Sequence, residues 1–342
     1  MPSSRITLAD VARKAEVSRT TASFVMSGRT DMRISADAHR RVLDAAAELG
    51  YRPNLTARSL RTSVTRTIGL VSDTIATTQY AGEVVHGALD AAFAHDRLLF
   101  VAETSGDPVV ERRLVEEMLD RQVDGVIYAV MYTREAQPPP NLRGRAVVLL
   151  NCLNDAFGAP TVLPDELGAG RSAAGALVRA GHANGIYAIG GRHKTSGTPD
   201  GVYAGRQRMQ GIEEVLGDAG ATLAGAVECA WEPEHGYHGV RRLLDEGRRP
   251  RALICANDRL ALGAYQALQE KGLRIPDDVS VVSFDDSELA SWLRPQLTSV
   301  ALPHYELGKV AVDLLIENRI DPATHRIPMP LRARSSIATV NR

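Results

Sequence analysis

Apolar residues near the start of the chain recur at helical spacing on either side of Ala15-Glu16. Leu8, Val11, Ala12 and Ala15 make one face, and Ala22, Val25 and Met26 make the other. Thr7 followed three residues later by Asp10 is a capping-box pattern, and Ser18 is a second N-cap. Two short helices broken by a tight turn follow, and the small Ala12 and Ala22 let them cross closely and steeply. The pattern predicts a helix-turn-helix over residues 7–26. A third amphipathic helix spans 35–49, with Val42, Leu43, Ala46 and Leu49 turned inward and Gly50 ending it. Asn54 caps a fourth, short helical stretch over 54–62, which is marginal on its own.

After a polar linker at 63–66 the period changes. Runs at 68–71, 98–102, 123–130 and 146–150 read as buried parallel strands, with helices at 81–95 and 108–122 between them. A second set follows: helix 168–181, strand 186–189, helix 204–219, strand 226–230, helix 234–246, strand 252–256, helix 258–271 and strand 279–284. Two similar α/β halves are implied. Pro138-Pro-Pro140 is placed in a loop, and Leu331 to Ala338 reads as strand-like.

The segments Leu8-Ala-Asp-Val-Ala12, Val17-Ser18, Thr21-Ala-Ser23, Ile34-Ser35, Gly50-Tyr-Arg-Pro-Asn54 and Ala57-Arg-Ser-Leu60 resemble the headpiece of the lactose-repressor (LacI/GalR) family of bacterial transcription regulators. From residue 67 to 338 the chain resembles that family's periplasmic-binding-protein-like body. The anchors are Ala180-Gly-His182, Arg208-Met-Gln-Gly211, Asn257-Asp258, Ala261-Leu-Gly263, Phe284-Asp285-Asp286 and Pro295-Gln-Leu-Thr298. The implied fold is an all-α helix-turn-helix headpiece plus an α/β body of two doubly wound parallel-sheet subdomains. The implied division is headpiece 1–62, linker 63–66 and body 67–342. Within the body, an N-subdomain covers about 67–165 and 300–325, and a C-subdomain about 166–297 and 327–342. Three departures from the family pattern lie in the headpiece and one in the body. Glu16 replaces a turn Gly, Phe24 stands where a polar residue is common, Ala38-His39 replaces a common Thr-Arg, and Ser283 replaces the Gly before Phe284-Asp285.

Carried over by motif, Arg19, Thr20 and Phe24 choose the DNA sequence, Arg19 by gripping a guanine or by holding a phosphate. Thr7, Ser18, Thr21 and Ser23 bond phosphates or cap. Asn54, Ala57 and Leu60 form the hinge, whose Leu60 either wedges into the minor groove or packs on the body. The ligand candidates are Asp73, Tyr80, Asn151, Arg208, Trp231, Asn257 and Asp285. Arg, Asn and Asp are planar partners for vicinal hydroxyls, and an aromatic ring stacks on a sugar or base.

Charge sharpens this division. The net charge of −1 conceals eleven Lys or Arg against six Asp or Glu in residues 1–62, a net of +5, and 29 against 35 in the remainder, a net of −6. A basic headpiece binds phosphates in a salt-sensitive way, and an acidic body is kept off the polyanion. Cys152, Cys229 and Cys255 are odd in number and unrelated in spacing, so neither a disulfide framework nor a metal site is expected. Without an apolar leader or a membrane-length apolar run, the expected location is the cytoplasm. Gly168-Ala-Gly170-Arg-Ser-Ala173 matches a dinucleotide fingerprint only on paper, because Pro164-Asp-Glu166 intervenes after the strand, and close helix packing explains the small residues better. His182 reads as a turn or core histidine. No catalytic motif, metal or cofactor is expected, so the chain is not expected to be an enzyme.

The expectation is a ligand-responsive, sequence-specific repressor. It binds a pseudo-palindromic double-stranded operator as a homodimer, without a membrane partner, and is released by a small effector, a sugar favoured over a purine. A corepressor-dependent regulator is the alternative, and a solute-binding protein is the rival from another class. Helices 81–95 and 234–246 offer Val85, Ala88, Leu89, Ala92, Val240 and Leu243 for pairing, and a tail without heptads points to a dimer over a tetramer.

Overall fold

The computed structural model describes residues 6–28, 32–52, 64–78, 81–191 and 203–340, and the chain divides into two units between Thr65 and Arg66. The hinge residues Asn54, Ala57 and Leu60, and Tyr80 of the ligand candidates, lie outside the described residues.

The first unit contains α1 (Leu8–Lys14), α2 (Arg19–Met26) and α3 (Ala36–Leu49). The capping box forms: Thr7 N donates to Asp10 at 2.9 Å and Asp10 N to Thr7 Oγ1 at 3.4 Å. Ser18 and Ser35 accept from Thr21 N at 3.0 Å and Ala38 N at 3.2 Å, and Gly50 closes α3. Val11, Ala12, Ala15, Ala22, Val25, Val42, Ala45 and Ala46 make the shared core. One expected core residue is placed outside. Leu43 is 45% exposed, and Ala45 takes the inner position instead. The buried stripe runs through 42, 45, 46 and 49, at i, i+3, i+4 and i+7, and Leu43 sits about 100° away from its leading residue.

The second unit holds two six-stranded sheets. The first runs β11-β5-β4-β3-β1-β2, built from β1 (Thr67–Ser72), β2 (Leu98–Glu103), β3 (Gly125–Glu135), β4 (Val147–Leu153), β5 (Thr161–Pro164) and β11 (Thr324–Ile327). Its faces are covered by α4 (Gly82–Ala94) and α11 (His304–Ile316) on one side and α5 (Pro108–Asp120) on the other. The second sheet runs β12-β10-β9-β8-β6-β7, from β6 (Ile186–Ile189), β7 (Leu223–Val227), β8 (Ala252–Cys255), β9 (Ser280–Asp285), β10 (Thr298–Ala301) and β12 (Leu331–Arg332). The helices α6 (Glu166–Arg179) and α7 (Ala204–Asp218) contribute to one of its cores, and α8 (Pro233–Asp245), α9 (Asp258–Glu270) and α10 (Glu288–Trp292) to the other.

Each sheet therefore has the doubly wound order 2-1-3-4-5 plus one strand from the end of the chain, and only β12 pairs antiparallel. The chain passes between the halves after β5, after β10 and after β11. Thr298–Ala301 thus belongs to the second sheet, whereas the sequence reading put 300–325 with the first half; the parallel pairing of β10 with β9 decides this. The expected strand at 226–230 lies earlier, at Leu223–Val227, and β3 runs on to Glu135 through a register shift after Ala129. Of the strand-like 331–338 only Leu331–Arg332 pairs. The pairing helices also need correction: Ala88, Ala92 and Val240 are buried in their own cores, while Leu89 stays exposed beside Phe93, which is 85% exposed.

The small residues in α6 and α7 allow a close crossing. A Cβ on Gly170 would stand 2.1 Å from the Arg208 carbonyl oxygen, and one on Gly211 would stand 2.2 Å from that of Leu167. Any side chain larger than hydrogen would push the two helices apart.

Glu16 sits at φ 53° in the turn between α1 and α2, a conformation that costs a non-glycine residue roughly 1–2 kcal/mol. Glu16→Gly should stabilise the headpiece by about 0.5–1 kcal/mol, the glycine's own entropic cost cancelling part of the relief. Hydrogen exchange on the full chain checks this: protection of the α1 and α2 amides should rise, and unchanged or lower protection would show that the turn is unstrained.

Candidate functional site

In the first unit, Ser18 caps α2 while Arg19 and Thr20 stand exposed in its first turn, and Ala22 and Val25 bury the opposite face. Thr7, Ser18 and Thr21 already bond within the protein: Thr7 Oγ1 donates to Asp10 at 2.7 Å, and the Ser18 and Thr21 hydroxyls are 2.8 Å apart. Ser23 and Phe24 are half-buried on the same helix. The exposed edge is thus an Arg and a Thr at a helix N-terminus, groups suited to base edges and phosphates.

In the second unit the candidates gather at the carboxyl ends of strands, the place where open α/β sheets bind ligands. On the first half, Asp73 follows β1. Its Oδ1 accepts from Thr74 N at 2.7 Å and Met131 N at 2.8 Å, and its Oδ2 faces Arg134 at 3.2 Å. Asn151 donates to the carbonyls of Val130 at 2.9 Å and Met131 at 2.8 Å, and accepts from Thr133 at 2.6 Å. Both side chains therefore tie β3 to its neighbours.

On the second half, Arg208, Trp231, Asn257 and Asp285 meet. Arg208 is 3% exposed. Its Nε and Nη2 donate to the two Glu166 carboxylate oxygens at 2.6 and 3.2 Å, and Nη1 donates to the Ala256 carbonyl at 2.5 Å. The guanidinium lies 4.6 Å from the Phe284 ring centre and 5.3 Å from that of Trp231. Asp285 Oδ1 is 3.8 Å from Nη1. Asn257 caps α9, accepting from Leu260 N at 2.8 Å and donating to the Trp231 carbonyl at 3.1 Å, so it fixes the Trp231 loop. A cavity of about 10 Å³ beside Arg208, room for about one water molecule, is lined by Gly190, Gly205, Met209, Ile254 and Phe284 among others. It is smaller than the roughly 300–1,000 Å³ of small-molecule sites.

Burial pushes the Asp285 carboxyl up to about 8, against the pull of Arg208 and with the help of Asp258 and Glu166. Burial likewise raises Asp258, although hydroxyls of Ser283, Ser287 and Ser299 bond it. The Ser that replaces a Gly at 283 thus serves Asp258. Burial lowers His304, at the start of α11, to about 4.

Glu166 is a functional residue outside the sequence-derived candidates: α6 begins at Glu166 and not at the expected 168, and an acid in a helix's first turn is the signal that marks such a start. Among the described residues no group of three His, Cys, Asp or Glu could hold a metal, and no helix is long and apolar enough to cross a membrane.

Comparison with known proteins decides the family. Residues 7–54 match the model for bacterial regulatory proteins of the lacI family, and residues 174–337 match a periplasmic binding protein-like domain. The ribose operon repressor of Haemophilus influenzae is 33% identical over 318 residues, 92% of each chain. The chain belongs to the lacI family. Among solved structures, the lac repressor dimer bound to operator and the anti-inducer ONPF is 25% identical with TM-score 0.76, covering 98% of this chain and 100% of that one. The transcriptional regulator CelR in complex with cellobiose is 27% identical with TM-score 0.63, covering 97% and 100%. As a lacI-family member the chain is a DNA-binding transcription regulator, with an α/β body of the periplasmic-binding kind.

The raised Asp285 generates a pH prediction. Between about pH 4 and 8 the folded chain holds a proton that the unfolded chain has released, so this group's contribution is full at low pH and is lost as pH rises through 8. Asp285→Asn cannot ionise. Its melting temperature relative to the unmodified chain should therefore climb from pH 5 to pH 8 in parallel thermal scans, and an advantage largest at pH 5 would overturn the assignment.

Proposed function

We propose that the chain is a repressor that binds a pseudo-palindromic operator as a homodimer and is released by a small effector, a sugar, held between the halves of its body. The observation that carries the DNA-binding part is the exposed first turn of α2, where Arg19 and Thr20 project from a packed helix-turn-helix. Arg19 reads a base edge with Thr20 and Phe24 beside it. Thr7, Ser18, Thr21 and Ser23 shape the helix ends and meet the phosphate backbone. Asn54, Ala57 and Leu60 act as the hinge, with Leu60 as the minor-groove wedge.

The effector part rests on the cleft. Arg208, Trp231 and Asp285 present a cation edge, an aromatic ring and a carboxyl that is largely protonated at neutral pH, a set suited to hydroxyls and a sugar face. Asn257, Asp73 and Asn151 hold the loops around it. The ribose operon repressor and the CelR–cellobiose complex among its relatives favour a sugar here too. For the dimer, Leu89 and Phe93 on α4 with Leu98 and Val101 on the adjacent β2 leave apolar side chains outside the first half, and a twofold pairing there would cover them. Such a regulator works in the cytoplasm and carries out no catalysis.

Removing residues 1–62 should abolish specific DNA binding in gel-shift assays while the body keeps its circular dichroism, and retained specific binding would sink the assignment. Arg19→Ala should cost about 1–3 kcal/mol on the operator if Arg19 reads a base. An equal loss on every sequence would mark a phosphate contact instead. Leu60→Ala should reduce operator bending in a circular-permutation assay and leave random-DNA affinity nearly unchanged, and an unaltered bend angle would refute the wedge.

A further inference from the structure

We propose that Glu166 sets the charge selectivity of the body cleft: it occupies the guanidinium fork of Arg208, so that the site accepts a neutral polyhydroxylated ligand and turns away one carrying a carboxylate or phosphate. This role rests on the reading of that cleft as the effector site. An arginine facing a binding site ordinarily recognises anions through two parallel N–H bonds. Here Nε and Nη2 are already paired with the Glu166 oxygens at 2.6 and 3.2 Å, and Nη1 with the Ala256 carbonyl at 2.5 Å. Of the five N–H groups two remain, one on Nη2 and one on Nη1, and Nη1 stands 3.8 Å from Asp285.

The pair is also held in place. The side chains of Arg208 and Glu166 are 4% and 2% exposed. The helices that carry them cross with glycines against backbone, a Cβ on Gly170 falling 2.1 Å from the carbonyl oxygen of Arg208 itself. An anionic ligand that took the fork would strand the Glu166 carboxylate in a buried site without its cation.

The surrounding charges point the same way. Asp258 is fully buried and bonded by the hydroxyls of Ser283, Ser287 and Ser299 and by Ser287 N, all neutral donors. Asp285, whose carboxyl burial holds largely protonated at neutral pH, lies 3.8 Å from Arg208, so Glu166 at 2.6 Å is the counter-charge that the guanidinium meets directly. Among the described residues, Arg334 meets Asp286 at 2.6 Å, Arg259 meets Glu232 at 2.7 Å, and Arg134 on the first half spends Nη2 on Asp73 at 3.2 Å while its buried Nε keeps no partner. An added negative charge finds none of these guanidinium groups wholly unpaired, whereas hydroxyls find both an acceptor and a donor at Asp285 and the Nη1 edge.

The test uses the full chain and a panel of neutral aldoses, each paired with its own phosphate ester and its own sugar acid, read by thermal shift against ligand concentration. The unmodified chain should bind a neutral sugar at least tenfold more tightly than the matching phosphate or acid. Glu166→Gln, which keeps shape and removes charge, should shrink that ratio at least tenfold. An unmodified chain that binds a phosphate or acid as well as its neutral parent overturns the proposal, and this comparison stands even if the variant does not fold. A folded Glu166→Gln chain with the original ratio overturns the role of Glu166 and leaves the cleft reading intact. A panel that moves neither chain's melting point overturns the sugar reading beneath it.

Discussion

A guanidinium carried into the interior must be met by its own protein, because the effective penalty for desolvating an ion is several kcal/mol. Arg208 is that group in this molecule, and the second half of the body is arranged to meet it. Glu166 at the start of α6 supplies the counter-charge, the end of β8 supplies a carbonyl, and Phe284 and Trp231 supply ring faces. Each partner comes from a different element, so the position of the arginine depends on the register of the whole sheet. The close α6–α7 crossing is the mechanical condition for all of this, since the bidentate pair forms only if the two helices nearly touch.

The headpiece was legible to the level of single hydrogen bonds, because caps and helical periodicity are local. Thr7 with Asp10, Ser18, Ser35 and Gly50 all took the positions that short-range chemistry assigns them. Leu43 was misplaced because a boundary residue of an amphipathic stripe is decided by rotation, and small alanines at 45 and 46 fill a three-helix core more closely than a leucine would. In the body, long buried strands were visible as apolar runs. The β5, β11 and β12 strands are two to four residues long and gain their identity from partners more than a hundred residues away or from the crossing chain, which no local window contains.

The cleft candidates divide along the same line. Of the residues proposed by motif, Arg208, Trp231, Asn257 and Asp285 lie together while Asp73 and Asn151 stand on the first half, and their side chains carry different tasks. Asp73 and Asn151 spend nearly all their hydrogen-bonding capacity on β3, and Asn257 spends most of its own on the α9 cap and the Trp231 loop. Residue type alone cannot separate a ligand partner from a loop anchor, because both need planar polar groups at strand ends. The distinction lies in which lone pairs and protons stay unspent, and that is visible only once neighbours from distant elements are in place. Glu166 shows the converse, a residue of no apparent note in the sequence whose partner lies forty-two positions away.

Backbone strain marks both walls of this cleft. Asn151 has φ 59°, Asp285 has φ 103° and Asp286 has φ 51°, and all three stand at the carboxyl ends of strands. Left-handed or wider positive φ costs an L-residue about 1–3 kcal/mol and persists only where surrounding bonds over-determine it. Those bonds are present: Asn151 holds two carbonyls of β3, Asp286 N donates to Ser299 at 3.0 Å, and the Asp286 carboxylate meets Arg334 at 2.6 Å. Ser299 lies on β10, and Leu302 just beyond it donates to the Asp285 carbonyl at 3.2 Å. The strained turn that presents Asp285 is therefore fastened to the segment where the chain crosses back to the first half. Under the proposed function, a ligand that alters the Asp285 turn acts through these hydrogen bonds on a connection between the halves as well as on a wall of its own pocket.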